Sequence, residues 1–317
     1  MENLISKIVQ KCYEQKIEKA KAELSKLSTA DVAVKIDFKA LGITSLAKEH
    51  KLYLNPRDEG LSAQLYAWKI REPLNTYFLH KFIMDNKRNI DVVIDIGSNI
   101  GYFPLLEVVS GAKRVLAIEP VRESYTFLEK NMRRFHNVKL LEAAVSNRDG
   151  TIRMYVPKKL NLASAVIDWS YLKTAKTKID KIINVKAYSI KSILERENLM
   201  DSNVLIRMDI EGFEKTIISQ LTREIYGISL ELHSYILGYS GGVALIKRLE
   251  KLGYKVKLMT RELDGLVPVI RLLGFKIPVK LYESLIEKRI YFEPTLSMIK
   301  FIIKQQKENP HLFVVRK

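Results

Sequence analysis

Six short runs rich in Val, Ile and Leu, at residues 92–96, 114–119, 138–143, 204–209, 227–232 and 254–259, constrain this chain most. They are nearly continuous in apolar residues rather than alternating, as in strands buried on both faces of a parallel sheet. Between them, residues 101–110, 122–135, 212–221 and 242–252 have helical spacing. Strands alternating with helices predict an α/β fold, a mostly parallel sheet covered on both faces. Two further runs, TIRMYV (151–156) and INVKAY (183–188), read as an added hairpin or paired edge strands between the third and fourth core strands.

The flanks follow other patterns. Residues 2–28 place apolar side chains, Cys12 among them, at helical spacing, giving an amphipathic helix. Such a helix can dock on its own domain, pair with a second copy or lie on a membrane; docking is the commonest. Residues 61–86 read as helix, a break at Arg71-Glu72-Pro73, and helix, because Pro73 disfavours helical geometry at Glu72. After Thr260 about fifty residues interrupt the pattern, with a helix expected at 295–306, before the closing strand HLFVVR. The expected division is an N-terminal helical extension or cap (1–90), a core (91–260), an inserted helical segment (261–310) and a closing strand (311–317).

At 317 residues, 47% hydrophobic and 28% charged, the chain is not disordered, collagenous or of low complexity. The single cysteine, Cys12, excludes an internal disulfide, and no second soft ligand offers a zinc cluster. With no signal peptide and no apolar window long enough to span a bilayer, the expected location is cytoplasmic, with attachment to a membrane surface open. The net charge of +17 lies mostly outside residues 91–235. Within them, Arg153, Lys158, Lys159, Lys173, Lys176, Lys178, Lys181 and Lys186 form a basic stretch, either a solvated face or a surface for an acidic partner.

The run VVIDIGSNIGYF carries the chemistry. A buried strand ends in Asp95, and the chain enters a helix through Gly97, Asn99 and Gly101, the spacing of a turn that cradles a nucleotide. G-x-N-x-G departs from the dinucleotide fingerprint and weakens the case for a pyrophosphate. Eighteen residues on, the second strand ends in Glu119, whose carboxylate can accept both hydroxyls of a ribose. Together the two features favour an adenosyl cofactor.

The runs DIGSNIGYF, AIEPVRESYTFLEKNM, AAVSNRDGTIRMYV, LIRMDIEGFEKTII and SLELH resemble the FkbM-type family of S-adenosylmethionine-dependent methyltransferases over roughly residues 68–258. The resemblance implies a class I methyltransferase fold: a Rossmann-like, mostly parallel seven-strand sheet. It implies O-methylation, often on a sugar-bearing or other natural-product scaffold. By position, Asp95, Gly97, Asn99 and Gly101 match the loop for the cofactor's methionine half and Glu119 its ribose ligand. Ala144 matches the adenine border, and Asp209 and Glu211 the acidic pair ending the fourth strand. Arg207 stands where lysine is commoner, and Phe213 where a small residue is.

Transfer to a hydroxyl needs positioning and a group to receive the acceptor's proton. Asp209, Glu211 and His233, at adjacent strand ends, are the candidates, with Asp209 serving cofactor and catalysis alike. His233 can equally be structural and Glu211 a helix cap; Glu72 can cap its helix or reach the cofactor's ammonium from a lid. No metal is expected. The expected acceptor is a carbohydrate, glycolipid or natural product. RNA methylation through the basic surface, or a binding protein that kept the fold and lost catalysis, are the alternatives. A homodimer through the N-terminal helix and contact with an anionic membrane remain open.

Overall fold

In the computed structural model, residues 2–27, 31–43, 50–165, 177–221, 225–262, 264, 267–268, 289–305 and 309–316 are described. Helix α1 (Glu2–Leu24) leads to a hairpin of β1 (Ala33–Ile36) and β2 (His50–Tyr53), then α2 (Leu61–Trp68) and α3 (Pro73–Asn86). The core follows as β3 (Val92–Ile96), α4 (Tyr102–Val109), β4 (Val115–Ile118), α5 (Arg122–Met132), β5 (Val138–Leu141) and β6 (Ala144–Val145). Next come β7 (Gly150–Pro157), β8 (Ile179–Tyr188), α6 (Ile190–Arg196), β9 (Val204–Met208) and α7 (Glu214–Gln220). The chain closes with β10 (Ile225–Glu231), α8 (Ser234–Lys251), β11 (Tyr254–Arg261), β12 (Ile290–Phe292), α9 (Leu296–Gln305) and β13 (Pro310–Arg316).

The central sheet has eight strands in the order β12-β11-β13-β10-β9-β3-β4-β5. β5, β4, β3, β9 and β10 are parallel. β13 inserts antiparallel between β10 and β11. The order reverses between β3 and β9, which opens the crevice where such sheets bind ligands. The expected seven strands are all present, and β12 adds an eighth at the edge. β7 and β8 form a separate three-stranded sheet with β6 instead of joining the core sheet.

Strand alternation splits the core into two apolar layers. Val92, Ile94 and Ile96 pack with α6 to α9 on one face. Val93 and Leu205 face the other, with α2 to α5 and the N-terminal segment. The first ninety residues therefore share the core's apolar layer, and they include a β-hairpin where helices alone were expected. In α1, Tyr13, Ile17, Ala20 and Leu24 are buried, and the Tyr13 ring stacks on Trp68 of α2 at 5.7 Å. The apolar stripe from Tyr13 onward is thus occupied within the chain, not offered to a second copy, whereas Cys12 is exposed. No described helix is long and apolar enough to cross a membrane. Within the segment after Thr260, most of the stretch LVPVIRLLGFKIPVK (266–280), together with Lys173 and Lys176, lies outside the described residues.

Candidate active site

At the C-terminal ends of the parallel strands lies an open cavity with about 800 Å³ of empty space, its solvent-filled mouth included. Gly97, Ser98 and Asn99 follow β3 into its wall; Glu119, Ala144 and Asp209 come from the ends of β4, β6 and β9. Leu61 of α2 and Asn161 after β7 close another side. Asp58 fastens those two segments together. Its carboxylate accepts N–H bonds from Gly60 (2.8 Å), Ser62 (2.8 Å) and Leu160 (3.1 Å). Burial nonetheless raises its pKa, because desolvation outweighs the donors. An aspartate followed by glycine two residues on was its only trace in the sequence.

The loop after β3 is shaped by its own polar groups. Asn99 has φ +49°, and its side chain accepts the Ile100 N–H at 2.8 Å, the local bonding that lets asparagine adopt this conformation. The Asn99 N–H donates to Glu119 at 2.9 Å, and Val121 N–H donates to the other carboxylate oxygen at 2.9 Å. Glu119 is thereby aimed at the cavity with lone pairs to spare, and burial pushes its pKa up to about 7. A Cβ on Gly97, at φ +86°, would lie 2.2 Å from the Asp209 carbonyl oxygen. Its glycine is required by the neighbouring strand end rather than by clearance for a ligand. Gly101, which does not line the cavity, packs against Leu128 and Met132 of α5.

Asp95 and Arg207 are cross-strand neighbours of β3 and β9. The Arg207 guanidinium donates to Asp95 at 3.0 Å and to Asp209 at 3.1 Å, and sits 3.9 Å from the Phe103 ring centroid. Asp95 is fully buried beneath it and does not reach the cavity, so it positions Arg207 instead of touching a ligand. Burial raises the Asp95 pKa against the pull of Arg207. Asp209 is also desolvated, but Arg207 and then His233 hold its carboxyl below the usual range.

Beyond Asp209 the ends of β9 and β10 form a buried acidic corner. Glu211 takes φ +50°, and its carbonyl accepts the Ser164 hydroxyl at 2.7 Å. The His233 ring, 1% exposed, bonds through Nδ1 to Glu214 at 2.5 Å. Its Nε2 faces Glu211 at 3.3 Å and Asp209 and Glu231 at 3.7 Å each. Desolvation opposes charge on the ring, yet Glu211, Glu214 and Glu231 raise its pKa well above normal. Those carboxylates favour positive charge at this position.

Glu72 is turned away from the cavity. Its φ of +43° directs the carboxylate to Arg71 (2.6 Å), Asn75 (2.9 Å) and His311 (3.7 Å). Arg71 lines the cavity in its place. Of the expected cofactor residues, Gly97, Asn99, Glu119, Ala144 and Asp209 line the cavity, whereas Glu72, Asp95 and Gly101 do not. Glu214, which orients His233, was not singled out from sequence. It lies within the LIRMDIEGFEKTII run, so its position was visible though its role was not.

A reversed strand beside the last parallel one, and a ribose-type carboxylate at the second strand end, define the class I S-adenosylmethionine-dependent methyltransferases. Residues 95–256 match the family model described as Methyltransferase FkbM domain, and the chain belongs to that family. It is an S-adenosylmethionine-dependent methyltransferase. No curated protein sequence matches the chain. Among solved structures, a ribosomal protein L11 methylase from Lactobacillus delbrueckii subsp. bulgaricus is similar at 14% identity and TM-score 0.35, covering 78% of this chain and 81% of that one. A putative RNA methyltransferase from Pyrococcus horikoshii is similar at 12% identity and TM-score 0.38, covering 78% and 85%. A SAM-dependent methyltransferase from Agrobacterium tumefaciens is similar at 9% identity and TM-score 0.39, covering 86% and 68%. Likeness this distant has no bearing on the acceptor.

Proposed function

We propose that this chain methylates a hydroxyl oxygen of a carbohydrate or glycolipid acceptor. One observation carries the reading: Asp209 lines the cavity at the strand ends and borders the acidic corner of Glu211, Glu231 and His233. A neutral polyol can donate hydrogen bonds to those carboxylates, whereas an RNA phosphate beside them would be repelled.

S-adenosylmethionine, when bound, supplies an electrophilic methyl on a sulfonium, whose C–S bond breaks as the new C–O bond forms. Glu119 fits its ribose, because two backbone N–H groups fix the carboxylate without exhausting its lone pairs. Gly97 to Asn99 and Asp209 would border the methionine half, and Ala144 and its neighbours the adenine. Arg207 holds Asp209 in place. Asp209 accepts the hydroxyl hydrogen bond and takes the proton as the oxygen is methylated. Glu214 holds His233 beside Glu211 and Asp209.

Labelled methyl transfer to cell fractions tests the acceptor class. Counts in polysaccharide or glycolipid, released as methyl ethers of sugar hydroxyls, are the expected result. Counts confined to RNA would overturn it in favour of the basic surface.

A further inference from the structure

We propose that Asp209, Glu211 and His233 form a binding site for a divalent cation, which, if the hydroxyl reading above is right, also holds the acceptor oxygen. One ligand atom from each of the three lies within 4.8 Å of the others. From the sequence a metal is conceivable at these three residues, oxygen and nitrogen ligands at adjacent strand ends, but none is expected; the reason to place one lies in how the histidine is held.

The Nδ1 of His233 bonds to Glu214 at 2.5 Å, which leaves Nε2 as the end of the ring that faces the other carboxylates. A carboxylate on the far nitrogen is the usual means of fixing the tautomer and direction of a metal-bound histidine. Here Nε2 points among carboxylate oxygens of Glu211 at 3.3 Å, Asp209 at 3.7 Å and Glu231 at 3.7 Å. Among the described residues neither Nε2 nor the facing Glu211 oxygen has a hydrogen-bond partner, although both are buried. Leaving a lone pair and carboxylates together unpaired in the interior is costly. A proton on Nε2 can serve only one oxygen. Ligand atoms each about 2.1 Å from a common cation sit roughly 3 to 3.5 Å from one another; Nε2 lies 3.3 Å from Glu211 and 3.7 Å from Asp209, and all three ligand atoms lie within 4.8 Å.

Two carboxylates and one imidazole suit Mn²⁺, Mg²⁺ or Zn²⁺ and leave coordination positions free, as catalytic sites do. Glu231 stands beside them, bonded to Asn309 at 3.2 Å. The nearby group of Glu72, Glu231 and His311 is less suited, because Arg71 and Asn75 already occupy Glu72. The cation would also answer a chemical need. A carboxylate is a weak base toward a hydroxyl, while a cation acidifies an oxygen bound to it by several units. A hydroxyl bound to the cation would then lose its proton to Asp209 more readily as the oxygen takes the methyl.

The test uses the full chain, stripped with a chelator, dialysed and titrated with Mn²⁺ while paramagnetic resonance reads free ion. S-adenosylhomocysteine binding is measured calorimetrically on the same sample. One Mn²⁺ per chain is expected, displaced by Mg²⁺ or Zn²⁺, with pulsed resonance of the wild-type complex showing coupling to one imidazole nitrogen. Glu211→Gln should weaken Mn²⁺ at least about tenfold with S-adenosylhomocysteine affinity unchanged, and Glu214→Gln should weaken it about 10- to 100-fold. No Mn²⁺ bound at millimolar concentration, or bound Mn²⁺ lacking nitrogen coupling, would overturn the site. The nitrogen coupling needs no variant, so misfolding of Glu211→Gln leaves the test intact. Failure of the metal alone leaves sugar methylation running in chelator. Failure of the acceptor reading alone leaves Mn²⁺ bound while label goes elsewhere.

Discussion

As the proposed ribose ligand, Glu119 should set the pH response of cofactor binding. With its pKa raised to about 7, the carboxyl is ionised above that pH and protonated below it, and only the ionised form offers every lone pair to ribose. Cofactor binding therefore favours the charged form and weakens as pH falls through about 7. Calorimetry with S-adenosylhomocysteine should show affinity dropping about tenfold per unit below that point. Glu119→Gln should lose about 10- to 100-fold at pH 8, the worth of a charge-assisted bond, and flatten the pH dependence. A wild-type affinity independent of pH from 6 to 8 would contradict this. Gly97→Ala acts differently. Its Cβ meets the Asp209 carbonyl at 2.2 Å in a left-handed backbone, so a loss of about 2 kcal/mol or more in denaturant unfolding is expected.

At the level of elements, β3 and β9 are joined by Arg207 as well as by their ladder. Removing it leaves Asp95 and Asp209 without their cation, and Asp95 is fully buried. Arg207→Met should cost about 3 to 5 kcal/mol, read from chemical denaturation. Wild-type stability in this variant would show that the carboxylates do not need it. The same pair marks what the sequence could reveal. Runs such as VVIDI and VLIRM expose strand and order, because burial on both faces leaves a continuous apolar signature. That Asp95 would spend its carboxylate on Arg207, and not on a ligand, depends on which residues the register brings opposite each other. No local pattern carries that. Glu72 is similar: the break at Pro73 was legible, but the left-handed turn that sends the carboxylate to Arg71 and His311 was not. The four-residue strands β1 and β2 were too short to register, and α6 escaped although Ser189 caps it.

Across the whole molecule, the N-terminal helix belongs to the same body as the sheet. Tyr13 stacks on Trp68 and Lys16 sits 4.1 Å from the Trp68 ring centroid, so α1 is held by the chain's own α2. Trp68→Ala should cost about 3 to 5 kcal/mol and speed hydrogen exchange in residues 13–24 without changing the sedimenting mass. A halved mass would instead reveal a dimer built on this helix. The cavity borders the acidic corner, and Asp209 belongs to both, so the proposed cofactor and acceptor sites meet at one residue. The most direct measurement is therefore Asp209→Asn, assayed for S-adenosylhomocysteine affinity and for labelled methyl transfer to sugar hydroxyls. Affinity within about threefold of wild type, with transfer reduced roughly 10²- to 10⁴-fold, is the predicted result. Transfer at the wild-type rate would contradict the account.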